Sequence, residues 1–362
     1  MPKVLKKILF ILLMVFASIV TLAVIYLGYV VFSYDRIDDN QVLEIKNEAP
    51  LTEASVGTEY TIVTQNLGFG AYTRDFTFFM DGGKESWAKS KDSVKECLTK
   101  ASNTVLSYNP DIILYQEIDT DSTRSYHINE RTFMDELTPG FTSVGACNYH
   151  SAFLFYPIFQ PHGASNSELT TYSKFQITSS VRRSFPISKS FSKFLDLDRG
   201  YSVSRIPVAG GKELVIFNAH LSAYGSNDEI REGQMRMLFS QMQEEYEKGN
   251  YCICGADFNH DFTGDSTQKL NGGASVDFGW AQPFPADILA EYSGIKRALS
   301  YASEDYQPTC RNCDIPYTEG NFTIIVDGFL VSNNVEITYL ENIVTGFEYS
   351  DHNPVVMKFK LQ

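Results

Sequence analysis

Six short apolar runs in this chain each stop at an acid, an amide or an imidazole, and that repetition constrains the fold more than any other feature. The run 60–66 ends on Asn66, 111–117 on Glu117 and 213–220 on His220. The run 251–257 ends on Asp257, with Asn259 just beyond, Asp327 interrupts 322–332, and Asp351-His352 precedes 354–360. The runs are rich in β-branched residues and short, as strands are. Taken singly, an Asp or Asn after a strand initiates a turn. Buried carboxylates, however, are costly unless paired or bound to metal. Six strands that each bring such a group to one end predict a shared polar site. Between them lie helical patterns at 86–108, with Val94, Leu98, Val105 and Leu106 apolar, and at 228–248, with Met235, Met237, Leu238 and Met242. Asn109-Pro110 closes the first, because proline restricts the residue before it. Strands separated by long helices predict a layered α/β fold, with the closely spaced final strands antiparallel.

The residue types state a chemistry. Acids and amides gathered at one place offer the oxygen ligands that a hard divalent cation takes. Mg²⁺ takes one or two carboxylates and keeps several waters. Glu117 closes a run with no other use for an acid and is the first candidate ligand.

The stretches Thr-Gln-Asn66-Leu, Tyr-Gln-Glu117, Asn-Ala-His220-Leu, Gly-Ala-Asp257-Phe-Asn259, Val-Asp327-Gly-Phe-Leu-Val-Ser and Ser-Asp351-His352-Asn-Pro-Val resemble, in this order, the endonuclease/exonuclease/phosphatase superfamily. That superfamily includes DNases, abasic-site endonucleases, inositol-polyphosphate 5-phosphatases and neutral sphingomyelinases. The likeness runs from about residue 58 to the C-terminus, with Gln65 a mild departure. It implies a layered α/β sandwich of two packed β-sheets flanked by helices. It also implies a hydrolase dependent on Mg²⁺ or Mn²⁺, with Asn66, Glu117 and Asp351 around one ion and Asp257 and Asn259 available to a second. His352 paired with Asp327 would act on the nucleophile, His220 would contact the phosphate, and Asp257 and Asn259 would orient the nucleophile and the transition state. The resemblance assigns the general base to no single one of these groups. Arg311 and Asn312 lie in a polar loop where a guanidinium could clamp phosphate, or simply be solvated. Tyr172-Ser-Lys-Phe-Gln-Ile also resembles a family stretch and is read as structural, and His260 as a rim residue.

Ahead of this lies an uncharged run from Ile8 to Phe32, preceded by Lys3, Lys6 and Lys7 and followed by Asp35, Asp38 and Asp39. A hydrocarbon core of ~30 Å needs about 20 helical residues, so the run predicts one N-terminal transmembrane helix. It is longer than a signal-peptide core and lacks a clear cleavage site. The lysines place residues 1–7 in the cytoplasm and the rest outside. Residues 8–32 are then an anchor, 33–56 a juxtamembrane tether and 57–362 the catalytic domain, expected as a monomer. Net charge is −14, which disfavours long duplex nucleic acid; the one dense basic cluster, Arg182-Arg183, is short. Cys252 and Cys254 alternate in an apolar run and read as packing residues, whereas Cys310 and Cys313 read equally as a disulfide or two thiols. The favoured function is hydrolysis of a phospholipid or small phosphodiester at the outer membrane surface. An anchored nuclease is the alternative within the same chemistry. A catalytically inactive binding module on the same fold is the competing class, and the complete residue set argues for the enzyme.

Overall fold

The computed structural model describes residues 2–190, 193, 198–223, 228–272, 280, 282–299, 306–318 and 320–362. Two seven-stranded sheets pack face to face. One runs in the order Val335–Asn342, Val355–Leu361, Glu59–Asn66, Ile112–Asp119, Asn166–Ser173, Thr142–His150, Ile45–Lys46. The other runs Gln41–Val42, Ser179–Ser184, Gly200–Val208, Lys212–His220, Tyr251–Asp257, Asp327–Ser332, Ile295–Ala298. Each sheet contains one parallel pair, Glu59–Asn66 with Ile112–Asp119 and Lys212–His220 with Tyr251–Asp257. A parallel pair needs a crossover. Helices Lys91–Leu106 and Asp228–Glu247 supply the two, and each lies on the outer face of its own sheet. The expected final strands, 322–332 and 354–360, lie in different sheets: Asp327–Ser332 pairs antiparallel with Tyr251–Asp257, and Val355–Leu361 antiparallel with Val335–Asn342.

Side-chain alternation builds three apolar layers. Ile62, Leu114, Ile216 and Ile253 fill the space between the sheets. Val94, Leu98 and Val105 cover one outer face, and Met235, Leu238, Phe239 and Met242 the other. Cys252 and Cys254 are buried in this last layer. A Cβ on Gly255 would lie 2.6 Å from Leu114 Cδ1 and 3.1 Å from Thr64 Cβ, so glycine sets the approach of the sheets there.

The local boundaries differ from the sequence reading in explicable ways. The helix expected over 86–108 begins at Lys91, where the Ser90 side chain accepts the Ser93 N–H, and ends at Leu106. The run 322–332 divides, because the Thr309 hydroxyl accepts the N–H groups of both Val326 and Asp327. Residues 33–56 are not a free tether. Gln41–Val42 adds an edge to one sheet, Ile45–Lys46 adds an edge to the other, and Ala54 is buried. Helix Lys3–Phe32 is long and apolar enough to cross a membrane. The Arg182-Arg183 cluster is internal scaffolding: buried Arg182 donates to the carbonyls of Cys147 and Asp198, and Arg183 pairs with Asp39.

Candidate active site

Because both parallel pairs point the same way, the C-terminal ends of four strands converge, carrying Asn66, Glu117, His220 and Asp257. Register does the rest. Asp257 is level with His220 on one side and Asp327 on the other. The turn before the last strand adds Asp351 and His352, fixed when the Ser350 hydroxyl donates to Asn66 O (2.8 Å) and accepts the His352 N–H (3.0 Å). These groups line a single cleft together with Asn259, Arg311 and Asn312. Asp327 stands behind it, hydrogen-bonded to His352.

Glu117 has φ 55° at a β-bulge in its strand, where the register slips between Tyr115 and Ile118. Bulges re-aim side chains. Here the bulge coincides with the carboxylate that enters the cleft, half-buried, with Asn66 Nδ2 at 3.4 Å and His220 Nδ1 at 4.0 Å. Just below it, Gln116 Nε2 donates to Asn218 Oδ1 (2.8 Å), and Asn218 Nδ2 donates to the carbonyls of Tyr115 and Thr170 (both 3.1 Å). This amide bridge joins the strand of Glu117 to that of His220 and holds the two halves of the site at one spacing.

Asp257 is the hub. Its Oδ2 accepts from Asn66 Nδ2 (3.0 Å) and lies 3.2 Å from His220 Nε2 and 3.7 Å from His352 Nε2; its Oδ1 accepts the Asn259 N–H (2.9 Å). Burial opposes ionisation of Asp257, but His220, His352 and these donors outweigh it and hold the carboxyl well below its usual range. Burial, reinforced by Arg199, lowers His220 from its ordinary value, with Asp257 opposing the shift. His352 is the opposite case. Burial disfavours its charged form, yet Asp327 Oδ2 at 2.8 Å from Nδ1 raises it well above the ordinary value. The Nε2 edge of His352 is thereby directed at Asp257 and the cleft.

Asp351 carries no side-chain cation in a salt bridge among the described residues. Its carboxyl is pushed up to about 7 by burial, with the Glu117 charge adding to the shift and His352 opposing it. Glu117 and Asp351 line the same cleft, neither in a salt bridge to Arg or Lys among the described residues, and two such carboxylates are a donor set for a hard cation. Gly68 makes room for this arrangement: a Cβ there would sit 2.7 Å from Asp351 Oδ1. Asn66 turns its amide nitrogen to Glu117 and Asp257 and its oxygen to the Gly68 N–H (2.9 Å), the posture of an orienting donor; ligation through Oδ1 would need the amide turned over. Asp257, Asp327 and His352 also bring ligand atoms within 4.8 Å of one another. Within this group His352 Nδ1 meets Asp327 Oδ2 at 2.8 Å, while Asp327 Oδ1 has no hydrogen-bond partner.

Arg311 is 1% exposed. Its Nη2 donates to the carbonyls of Thr73 and Phe76, while Nε and Nη1 have no protein partner. Asn312 donates to Asp314 Oδ1 at 2.8 Å. Cys310 and Cys313 are free thiols, Cys313 Sγ lying 3.9 Å from Asp351 Oδ2. Asn259 has φ 50° and gives its side-chain amide to Leu221 O (2.8 Å), leaving its oxygen to the cleft. His260 is buried, not on the rim, because its ring bonds to Phe258 O (2.6 Å).

Tyr72, Arg124, Asn148, His162 and Arg199 also line the cleft and are absent from the sequence reading. Arg124 is clamped by Asp119 (3.0 and 2.9 Å) and stacks over Phe69 at 3.8 Å.

The sequence model of the Endonuclease/Exonuclease/phosphatase family matches residues 63–352. No curated protein matches the chain in sequence. Solved structures match in fold at low identity. An endonuclease/exonuclease/phosphatase from Beutenbergia cavernae DSM 12333 gives a TM-score of 0.58 at 13% identity, over 84% of this chain and 72% of the other. D. rerio TDP2 complexed with single strand DNA product gives 0.52 at 12%, over 84% and 99%. The human Nocturnin catalytic domain with bound sulfate anion gives 0.50 at 16%, over 88% and 98%.

Proposed function

Since the chain belongs to the endonuclease/exonuclease/phosphatase family, whose members are metal-dependent phosphoester hydrolases, we propose that it is a Mg²⁺- or Mn²⁺-dependent hydrolase of a phospholipid or small phosphodiester, anchored to the outer face of a membrane by helix Lys3–Phe32. The observation that carries this reading is the pair Glu117 and Asp351, two neighbouring carboxylates lining one cleft, neither in a salt bridge to Arg or Lys among the described residues, beside the His352–Asp327 dyad. A cation held by Glu117 and Asp351 would neutralise phosphate charge and polarise the phosphorus.

The protein's own groups supply the rest. Asp257, kept ionised, and the Asn259 side-chain oxygen orient a water for in-line attack. His352, held by Asp327, stabilises charge on the phosphoryl oxygens from its Nε2 edge, and His220 adds an imidazole beside Asp257. Arg311 offers two unpartnered nitrogens, Nε and Nη1, to phosphate oxygens. The acidic surface and the internal use of Arg182 and Arg183 weigh against long duplex nucleic acid.

The test is a panel run with Mg²⁺ and Mn²⁺ on the purified full-length protein: bis-p-nitrophenyl phosphate, sphingomyelin vesicles, inositol phosphates and plasmid DNA. Turnover of the first, with plasmid DNA a poor substrate, is the expected result. No turnover of any phosphoester would overturn the assignment, and plasmid cleavage as the dominant activity would transfer it to a nuclease.

A further inference from the structure

Residues 151–161 form a surface loop without a single charge, Ser-Ala-Phe-Leu-Phe-Tyr-Pro-Ile-Phe-Gln-Pro. Within it Phe155 is 57% exposed, Tyr156 70%, Ile158 77% and Phe159 102%. Isolated exposed apolar residues are ordinary, but a contiguous patch of large ones marks a contact surface.

The loop is tied to the N-terminal helix. Tyr26 Oη donates to Phe153 O (3.2 Å), and the N–H of Phe153 donates to Tyr29 Oη (3.0 Å). The rings of Tyr26 and Phe155 meet edge to face at 5.2 Å. Depth along the helix then follows from length. About 20 residues at ~1.5 Å each cover the hydrocarbon core. Counted from Ile8, that places Tyr26 and Tyr29 at its outer boundary, where amphipathic aromatic rings concentrate. A loop hydrogen-bonded to those tyrosines is at the same depth.

It is also continuous with the cleft. The Tyr156 ring packs against Phe79 at 5.8 Å, and Phe79 packs against His162 at 5.7 Å. His162 and the neighbours of Phe79, Phe78 and Met80, line the cleft, and Met80 is 54% exposed at its mouth.

We propose that loop 153–159 is a second membrane contact, seated in the outer headgroup–acyl interface beside helix Lys3–Phe32, and that it turns the mouth of the cleft toward the lipid surface. The proposal rests on the anchored reading above and commits to one occupant, the bilayer that the helix itself crosses. A headgroup phosphoester would then meet Met80 and Phe78 on its way to Glu117, without a journey through bulk water.

The experiment is tryptophan depth measurement on the full chain reconstituted in phosphatidylcholine vesicles, with and without brominated acyl chains. Wild type gives the background from Trp87 and Trp280. F159W and M80W report the loop and the mouth. V56W, exposed beside the strand start at Glu59 and hence at the opposite end from Asn66, reports the far side. F159W is expected to emit blue-shifted and to lose intensity in brominated lipid, M80W to lose less, and V56W to match the wild-type background. Quenching of F159W no greater than that of V56W would overturn the membrane contact. Quenching of F159W without any of M80W would overturn the orientation of the cleft. No turnover enters the measurement, so its failure is distinct from a failure of the hydrolase assignment, which the substrate panel reads.

Discussion

Glu117 and His352 occupy the same cleft but depend on different support, and substitutions separate them. Glu117 stands in a left-handed backbone conformation, a strain of the kind that gathers at functional sites, with Asn66 Nδ2 at 3.4 Å. Glu117→Gln keeps the volume and removes the charge. Its metal requirement should shift to higher Mg²⁺, with excess metal restoring part of the rate. His352→Ala removes a positioned imidazole, and turnover should fall by about 10²-fold or more without rescue by metal. Kinetics against metal concentration, with circular dichroism to confirm folding, distinguishes the two. Normal turnover in a folded His352→Ala protein would remove the residue from the mechanism. Arg311→Lys should lower kcat/KM by roughly 10- to 100-fold, the scale of one charge-assisted hydrogen bond. Ordinary kinetics in that variant would return Arg311 to a purely structural role, bonding Thr73 and Phe76.

At the scale of elements, the strands were legible because each apolar run ends where its polar residue begins, so Asn66, Glu117, His220 and Asp257 announce the edge they share. The two crossover helices were legible from apolar spacing alone. What escaped was whatever depends on contacts between distant segments. Arg124, Asn148, His162 and Arg199 come from loops and strand ends where a polar residue looks like any solvated one. The bulge at Glu117 leaves no mark in composition, and the polar stretch 33–56 gives no sign of the edge strands it contributes. Other contacts between elements carry stability that can be measured. Arg205 joins Glu213 (2.6 Å) and Glu245 (2.7 Å), binding a sheet to helix Asp228–Glu247. Burial alone would raise Glu245, but its bonds to Arg205, Lys248 and Asn250 hold it down to about 2. A depressed carboxyl stabilises fully above its unfolded pKa of about 4.3, and that contribution is lost as pH falls toward 2. The Tm gap between wild type and Glu245→Gln should therefore be wide at neutral pH and narrow below the unfolded pKa. A gap independent of pH would assign the effect to packing. Gly255→Ala should cost about 1–3 kcal/mol in denaturant unfolding, because the sheets cannot part locally to admit a methyl group.

The whole molecule combines an apolar helix, an acidic two-sheet domain and a cleft at the end where the strands finish. Lys3, Lys6 and Lys7 precede the uncharged run Ile8–Phe32 and Asp35, Asp38 and Asp39 follow it, the charge order behind the proposed placement of the domain outside the cell. Protease added to intact cells should degrade the domain after residue 33; protection until the membrane is broken would reverse the orientation. The proposed orientation and lipid contact would decide which phosphoester reaches the cleft, and the central proposal is that Glu117 and Asp351 hold the cation of a hydrolase. The most direct measurement is turnover of bis-p-nitrophenyl phosphate by the full-length protein after EDTA treatment, then across a titration of Mg²⁺ or Mn²⁺. The account predicts no turnover in EDTA and a saturable return with either ion. Undiminished turnover in EDTA, or none at any metal concentration, would contradict it.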